Sequence, residues 1–447
     1  MMALDHAAGG AHKMHLYQPM NHPQLPWTGV LTGLMALHCF YWGTNQFIVQ
    51  RVLAARSDAE GRMGIVAAGF LKLLIPFFAI GTGVAAFYLF ETTGPGQGIG
   101  PDTTFAELVK VVIPTRIGLI GLISAGLIGA ILSSIDSMMN SAATIVTVDV
   151  YKRYLNPAAT DRQMIFVGRL SILLFVIIAA WMAINVLDPN SEENFFLQIV
   201  DYEGYLTPGL LVAFVMGMFW RRGTATGAFV TILAGVFFSW SIDAAYDKFH
   251  GMHPAVYSIA TGETDLQHVE LSDLPEEMRT MSLEQRQAYV KERKRDITPI
   301  NSRLGAKLNF LHRVGFVIVL CVLLHLVVSL RGRPDAEKSR LVWTDLGGHS
   351  PRDFRNLLAG ILISIVVFAA LGVLMYNEIL SPTLCAVLAA VWTLSLFAVT
   401  LKHTLEKHRA AANSGHSSHL LVAIVREDRF WAGLLCALAV FMHYYFY

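Results

Sequence analysis

Charge is scarce in this chain: only 15% of the 447 residues are Asp, Glu, Lys or Arg, while 54% are hydrophobic. A soluble domain carries about 25% charged residues, so the deficit points to lipid. The net charge of +1 gives no electrostatic reason to expect a nucleic acid as partner. Cysteine is scarce too. Cys39, Cys321, Cys385 and Cys436 lie far apart inside apolar runs, which excludes a disulfide framework or a metal-ligand spacing and favours buried free thiols. Also missing are GxxxxGK[ST], a GxGxxG at a strand-to-helix turn, HExxH and GxSxG. ATP-driven transport and the familiar hydrolases lose their support with them. No nucleophile–base pair can be placed, so the chain does not read as an enzyme.

The first 26 residues lack a charged segment followed by an apolar core, so they are no signal peptide. His6, His12, His15 and His22 are scattered through them and read as part of a polar tail rather than as a metal site.

What is present is apolar length. A membrane span needs about 20 apolar residues at 1.5 Å rise each. About ten stretches qualify, near 27–49, 63–90, 116–148, 165–187, 194–220, 225–246, 309–330, 356–376, 380–401 and 429–447. Alternating barrel strands are absent, so the expected fold is an all-α polytopic membrane protein. Arg and Lys follow every odd-numbered stretch: Arg51 and Arg62, Lys152 and Arg153, Arg221 and Arg222, Arg331 and Arg333, Lys402 and Lys407. The loops between carry Glu91, Asp102, Asp188, Glu192, Glu193 and Glu378. Basic loops stay in the cytoplasm, which puts both termini outside. The polar segment 248–308 falls outside as well and reads as a solvated surface helix.

Polar side chains inside a span are costly unless they face a bundle interior or cavity. His38, Tyr41, Trp42 and Asn45 recur at i, i+3, i+4 and i+7, one helical face. Gly43-Thr44-Asn45-Gln46 predicts a loosening of that helix. The face lines a substrate path, or it is an interfacial aromatic belt. Lys72 lies ten residues beyond Arg62, about 15 Å deep and hard to extend to the surface. It is a solute ligand or a structural ammonium. Ala130, Ser133, Ser134, Ser137 and Ser141 form a small, hydroxylated stripe, with Asp136, Asn140 and Thr144 beside it. Close helix packing is one account. The other is a sodium ion, a hard cation that takes several oxygens. Gln198, Asp201, Tyr202 and Glu203 precede Gly204, and Pro208 frees the carbonyl of Gly204, so a bend or break is expected there. Solvation of Asp201 and Glu203 by an outer loop competes with a transport site.

The run Phe40-Tyr41-Trp42-Gly43-Thr44-Asn45-Gln46-Phe47-Ile48-Val49-Gln50-Arg51, continued by Leu53-Ala54-Ala55, resembles a signature of the sodium/solute symporter family, most closely its sodium–glucose branch. Ala130, Ser133-Ser134, Asn140-Ser141 and Val148-Asp149-Val150-Tyr151 resemble the family's sodium-site helix. Thr207-Pro208-Gly209 and Phe219-Trp220 resemble the segment that follows. The likeness covers about residues 27–247.

This resemblance implies a coupling sodium ion held by the carbonyl of Ala130 and by Ser133 and Ser134, with Asp136 and Ser137 near a second sodium position. Tyr41 matches the aromatic that closes the sugar site from the cytoplasmic side, and Lys72 a lysine that bonds sugar hydroxyls. His38 stands where a bacterial sugar carrier has Asn, and Val200 where sugar carriers have Gln, with Gln198 nearby. The candidate solute residues are thus His38, Tyr41, Trp42, Asn45, Lys72 and Gln198. The family core is leucine-transporter-like, two inverted repeats of helices. Residues 27–220 match the second repeat, after a polar tail at 1–26, and 221–447 are accessory C-terminal helices with the extramembrane loop 248–308. The expected function is sodium-coupled symport of a sugar or similar polyol at the inner membrane, incomplete without an N-terminal half that is lost or separately encoded. Inositol, monocarboxylate or amino acid are rival solutes. A non-transporting sensor or assembly fragment is the rival class.

Overall fold

A backbone in lipid must satisfy its own donors and acceptors, and this one does so by helix. The computed structural model describes residues 18–93, 102–114, 117–187, 195–266, 269, 271–343, 351–412, 424–425 and 427–446. No strand occurs among them, only an isolated bridge between Gln18 and Pro26. The chain enters through Trp27–Gly29 and the π-helical Val30–Leu34 into α1 (Met35–Gly43), then α2 (Gln46–Leu53), α3 (Asp58–Thr93) and α4 (Thr104–Val112). Next come α5 (Leu119–Thr144, extended by the π-helical Ile145–Leu155), α6 (Asp161–Asn185), α7 (Phe195–Phe219) and α8 (Ala225–Phe249). After the short α9 (Pro254–Thr261) and α10 (Leu283–Arg293) follow α11 (Phe310–Arg331), α12 (Pro351–Tyr376), α13 (Pro382–Ala412) and α14 (Asp428–Tyr445).

Eight of these helices are long and apolar enough to cross a membrane: α3, α5, α6, α7, α8, α11, α12 and α13. The all-α polytopic membrane architecture expected from the sequence is therefore present, with two of the ten stretches falling short. The first stops at Gly43. Thr44 donates its hydroxyl to the Phe40 carbonyl at 2.8 Å, Asn45 turns extended at φ −71°, ψ 117°, and α2 restarts from it. The last forms α14, whose 18 residues include Asp428, Arg429 and His443. Pro208 lies inside an uninterrupted α7, so the break expected there does not form. The thiols divide: Cys321 and Cys385 are buried as expected, whereas Cys39 and Cys436 are exposed.

Two compact units share the chain. Among the described residues the first comprises Asn45–Gln198 and Ser364–Tyr447; the second comprises 18–44 and Ile199–Ile363. In the first, α14 packs on α13 and on α3. Arg62 pairs with Asp428 at 2.6 Å, Phe70 meets Trp431 edge-on, and Tyr444 donates to the Phe368 carbonyl at 2.6 Å. A core of Leu371, Met375, Cys385, Ala386, Ala389 and Tyr444 forms there. The helix α6 starts at a capping box between Thr160 and Gln163.

In the second unit α7, α8 and α11 interlock. A Cβ on Gly235 would stand 2.8 Å from Gly209, so two glycines let α7 and α8 touch backbone to backbone. Val212, Val317 and Cys321 fill the seam beside them. The residues between α8 and α11 do not form a lone solvated helix. Val256, Ala260, Leu266, Leu274, Met278 and Val290 bury a small core of their own. Asn301 closes it, donating to the His250 carbonyl at 3.1 Å and accepting from the Thr298 amide at 2.7 Å. Apolar residues at helical spacing inside a charged segment were enough to fold it. His6, His12, His15, Asp188, Glu192 and Glu193 lie outside the described residues.

Candidate functional site

The hydroxylated stripe stands on α5 as the sequence places it. Ser134 donates to the Ala130 carbonyl at 3.1 Å and Ser137 to the Ser133 carbonyl at 3.0 Å. Back-bonding to the preceding turn satisfies the hydroxyl protons and leaves the oxygen lone pairs turned outward. Ala130, Ser133, Ser134 and Asp136 are exposed and Ser137 half-buried. Ser137 also accepts from Arg51 Nη2 at 2.9 Å, so one residue of the second sodium position already holds a cationic side chain.

Three oxygens from one helix make half a shell at best, since about six ligands are normal for a hard cation of this kind. The polar edge of α5 is nonetheless a membrane-span surface that the first unit leaves open: none of the most apolar window of Leu119–Leu155 is buried. Polar groups within a span are costly against acyl chains, so such a surface calls for protein or water beside it. Among the described residues no group of three or more His, Cys, Asp or Glu side chains is placed to hold a metal.

The solute candidates divide between the units. His38, Tyr41 and Trp42 belong to the second, while Asn45, Lys72, Gln198 and the ion candidates belong to the first. His38 is exposed and its Nδ1 lies 2.8 Å from the Leu34 carbonyl of its own helix. Tyr41 and Trp42 meet edge to face at 5.4 Å. Asn45 does not continue their helical face, because the helix has ended two residues earlier. Lys72 is exposed on α3 and Gln198 is buried on α7.

A second polar constellation escaped the sequence reading. Arg313 on α11 is 2% exposed. Its Nη2 donates to Asp201 Oδ1 at 2.5 Å and to the Asp201 carbonyl at 3.0 Å, and its Nη1 donates to Asp243 Oδ2 at 3.0 Å. Tyr205 donates to the same Asp243 oxygen at 2.6 Å, and its ring lies 3.7 Å beneath the guanidinium. Asp201 is therefore an ion-pair partner, not merely solvated. Lower on α11, His325 is buried with Nδ1 3.2 Å from the Thr231 hydroxyl. The available signal was a lone Arg and a lone Asp within apolar spans, which demand partners.

The pattern of the sodium:solute symporter family matches residues 4–235, just over half of the chain. Among relatives, the sodium/glucose cotransporter of Vibrio parahaemolyticus is 35% identical over 249 residues, 52% of this chain and 44% of that protein. The human sodium/myo-inositol cotransporter 2 is 33% identical over 235 residues, 50% of this chain and 34% of that protein. The sodium/mannose cotransporter of Bos taurus is 33% identical over 258 residues, 55% of this chain and 42% of that protein. The chain thus spans less than half the length of the relatives it matches. All three are cotransporters by name, and the helices that carry Ser133, Ser134, Lys72 and Gln198 lie inside the matched residues; the chain belongs to the sodium:solute symporter family.

Proposed function

We propose that this chain takes part in sodium-coupled symport of a sugar or similar polyol by alternating access at the cell's inner membrane. One observation carries the reading. The edge of α5 presents the Ala130 carbonyl, Ser133 and Ser134 within a helix of 37 residues that is long and apolar enough to cross a membrane. Neutral oxygens bind sodium weakly and reversibly, as a coupling ion requires. Lys72, Asn45 and Gln198, with His38, Tyr41 and Trp42, supply the donors, acceptors and aromatic faces that a polyhydroxylated solute needs. The names of the relatives support sugar or inositol over monocarboxylates and amino acids.

The remaining sodium ligands come from a protein segment that covers the α5 edge, the first inverted repeat, carried on a longer form of the polypeptide or on a separate chain. Sodium favours the outward-open state by binding it more tightly, and the solute then joins it. Asp136 and Ser137 form the second ion position, where Arg51 must yield Ser137.

The test is uptake of labelled glucose, mannose and myo-inositol into vesicles under a sodium or a potassium gradient. It is run with this chain alone and with a coexpressed first repeat. Sodium-dependent uptake is expected only in the second case. The Ser133→Ala, Ser134→Ala pair should raise the sodium concentration needed by about tenfold or more, the loss of two ligand bonds. Uptake that ignores both sodium and that pair overturns the ion site. No uptake in any arm favours an assembly role without transport.

A further inference from the structure

Arg313 touches α7 at Asp201, Gly204 and Tyr205, which stand at i, i+3 and i+4 on one face. Gly204 is part of the fit, since a Cβ there would lie 3.4 Å from Nη2 and 3.2 Å from Val314. Asp243 on α8 holds the other arm of the fork and, through Tyr205, returns to α7. One guanidinium therefore pins α7 by a carboxylate, a backbone carbonyl and an aromatic face together. A fork with three kinds of contact fixes rotation as well as distance. Successive helical residues are turned by about 100°, so Gln198, three residues before Asp201 and seven before Tyr205, shares the face that Arg313 holds, while Tyr202 stands to one side of it. Gln198 is buried and Tyr202 exposed.

Asp201 and Tyr205 lie inside the family-matched residues 4–235, whereas Asp243 and Arg313 lie beyond them. We propose that Arg313 is a positioning residue that sets the roll of α7 and thereby the direction in which Gln198 meets the solute. This rests on the symport reading for its consequence, though not for the clamp itself. It gives the helices after residue 235 a part in solute selection without any contact to the solute.

Two readouts separate the clamp from the transport reading. The first is labelling of a Tyr202→Cys variant by a water-soluble maleimide in membranes. It uses the full chain with Cys39, Cys321, Cys385 and Cys436 replaced by Ala. Arg313→Lys, which keeps charge and loses the fork, should change the labelling rate several-fold. Asp201→Asn, a milder change, should shift it in the same sense. Labelling that stays put in both single variants overturns the proposal. The second readout is sodium-driven uptake with the covering segment present. The single variants should raise the solute KM about tenfold while Vmax holds, the split expected of lost ground-state positioning. A labelling shift with unchanged KM overturns the link to the solute. If the parent takes up nothing, the symport reading fails and labelling alone decides the clamp.

Discussion

The two units solve the same problem, polar groups in apolar helices, in opposite ways. In the second, a third of the most apolar window of α7 and of α11 is buried, and the polar groups of that bundle find one another: Arg313 with Asp201 and Asp243, His325 with Thr231, Ser329 with Thr224. In the first, none of the corresponding windows of α3 and α5 is buried. Ser133, Ser134, Asp136 and Lys72 stand on open faces. The paired groups tie helices of the second unit to one another, while the polar faces of α3 and α5 stay open. The contrast separates a paired bundle from open polar faces within one chain.

Removing the Arg313 head group should break the scaffold most. Arg313→Met leaves two carboxylates without their cation, and since each is about a third exposed the cost sits at the lower end of a broken buried pair, about 3 kcal/mol. Thermal unfolding of the purified chain in detergent reads it; an unchanged midpoint would erase the distinction between the units. Backbone contact comes next. Gly235→Ala drives a methyl into Gly209 and should cost about 2 kcal/mol by overpacking.

The matching change in the first unit has the opposite sign. Nothing lies within 4 Å of a Cβ at Gly129, so Gly129→Ala should stabilise the isolated chain by about 0.5–1 kcal/mol through helix propensity. If a first repeat covers α5, the same substitution should weaken its copurification, which sharpens the comparison further.

The smallest effect is one of pH, outside the membrane spans. His22 Nδ1 accepts from the Leu25 amide at 3.1 Å and the Gln24 amide at 3.3 Å. Burial lowers its pKa, with Glu263 opposing, so the folded state prefers the neutral ring. Its contribution is present above the ordinary histidine value of about 6.5 and is lost as pH falls below it toward the depressed folded value. A melting curve whose acid slope flattens in His22→Gln checks the sign; a steeper slope contradicts it.

Much of this was legible along the chain because hydropathy and hydrogen bonding in lipid leave few choices. The long helices follow from apolar length, the end of α1 from Gly43-Thr44-Asn45, and the α5 stripe from serines at helical spacing. Pro208 misled, because a proline inside a span need not break it when neighbouring helices pack against it. The segment between α8 and α11 misled because its charges hid the spacing of Val256, Leu274, Met278 and Val290. Arg313 was missed for a different reason: its partners Asp201 and Asp243 lie 112 and 70 residues away, and no local pattern joins them.

By itself the sequence determined that this protein lives in a membrane as helices and that one helix carries a stripe of hydroxyls. Period and composition are local properties, and lipid enforces them. Tertiary structure alone decided which polar groups are spent on each other and which stay open. Pairing depends on where helices cross, and crossings are set by packing among residues far apart in the chain.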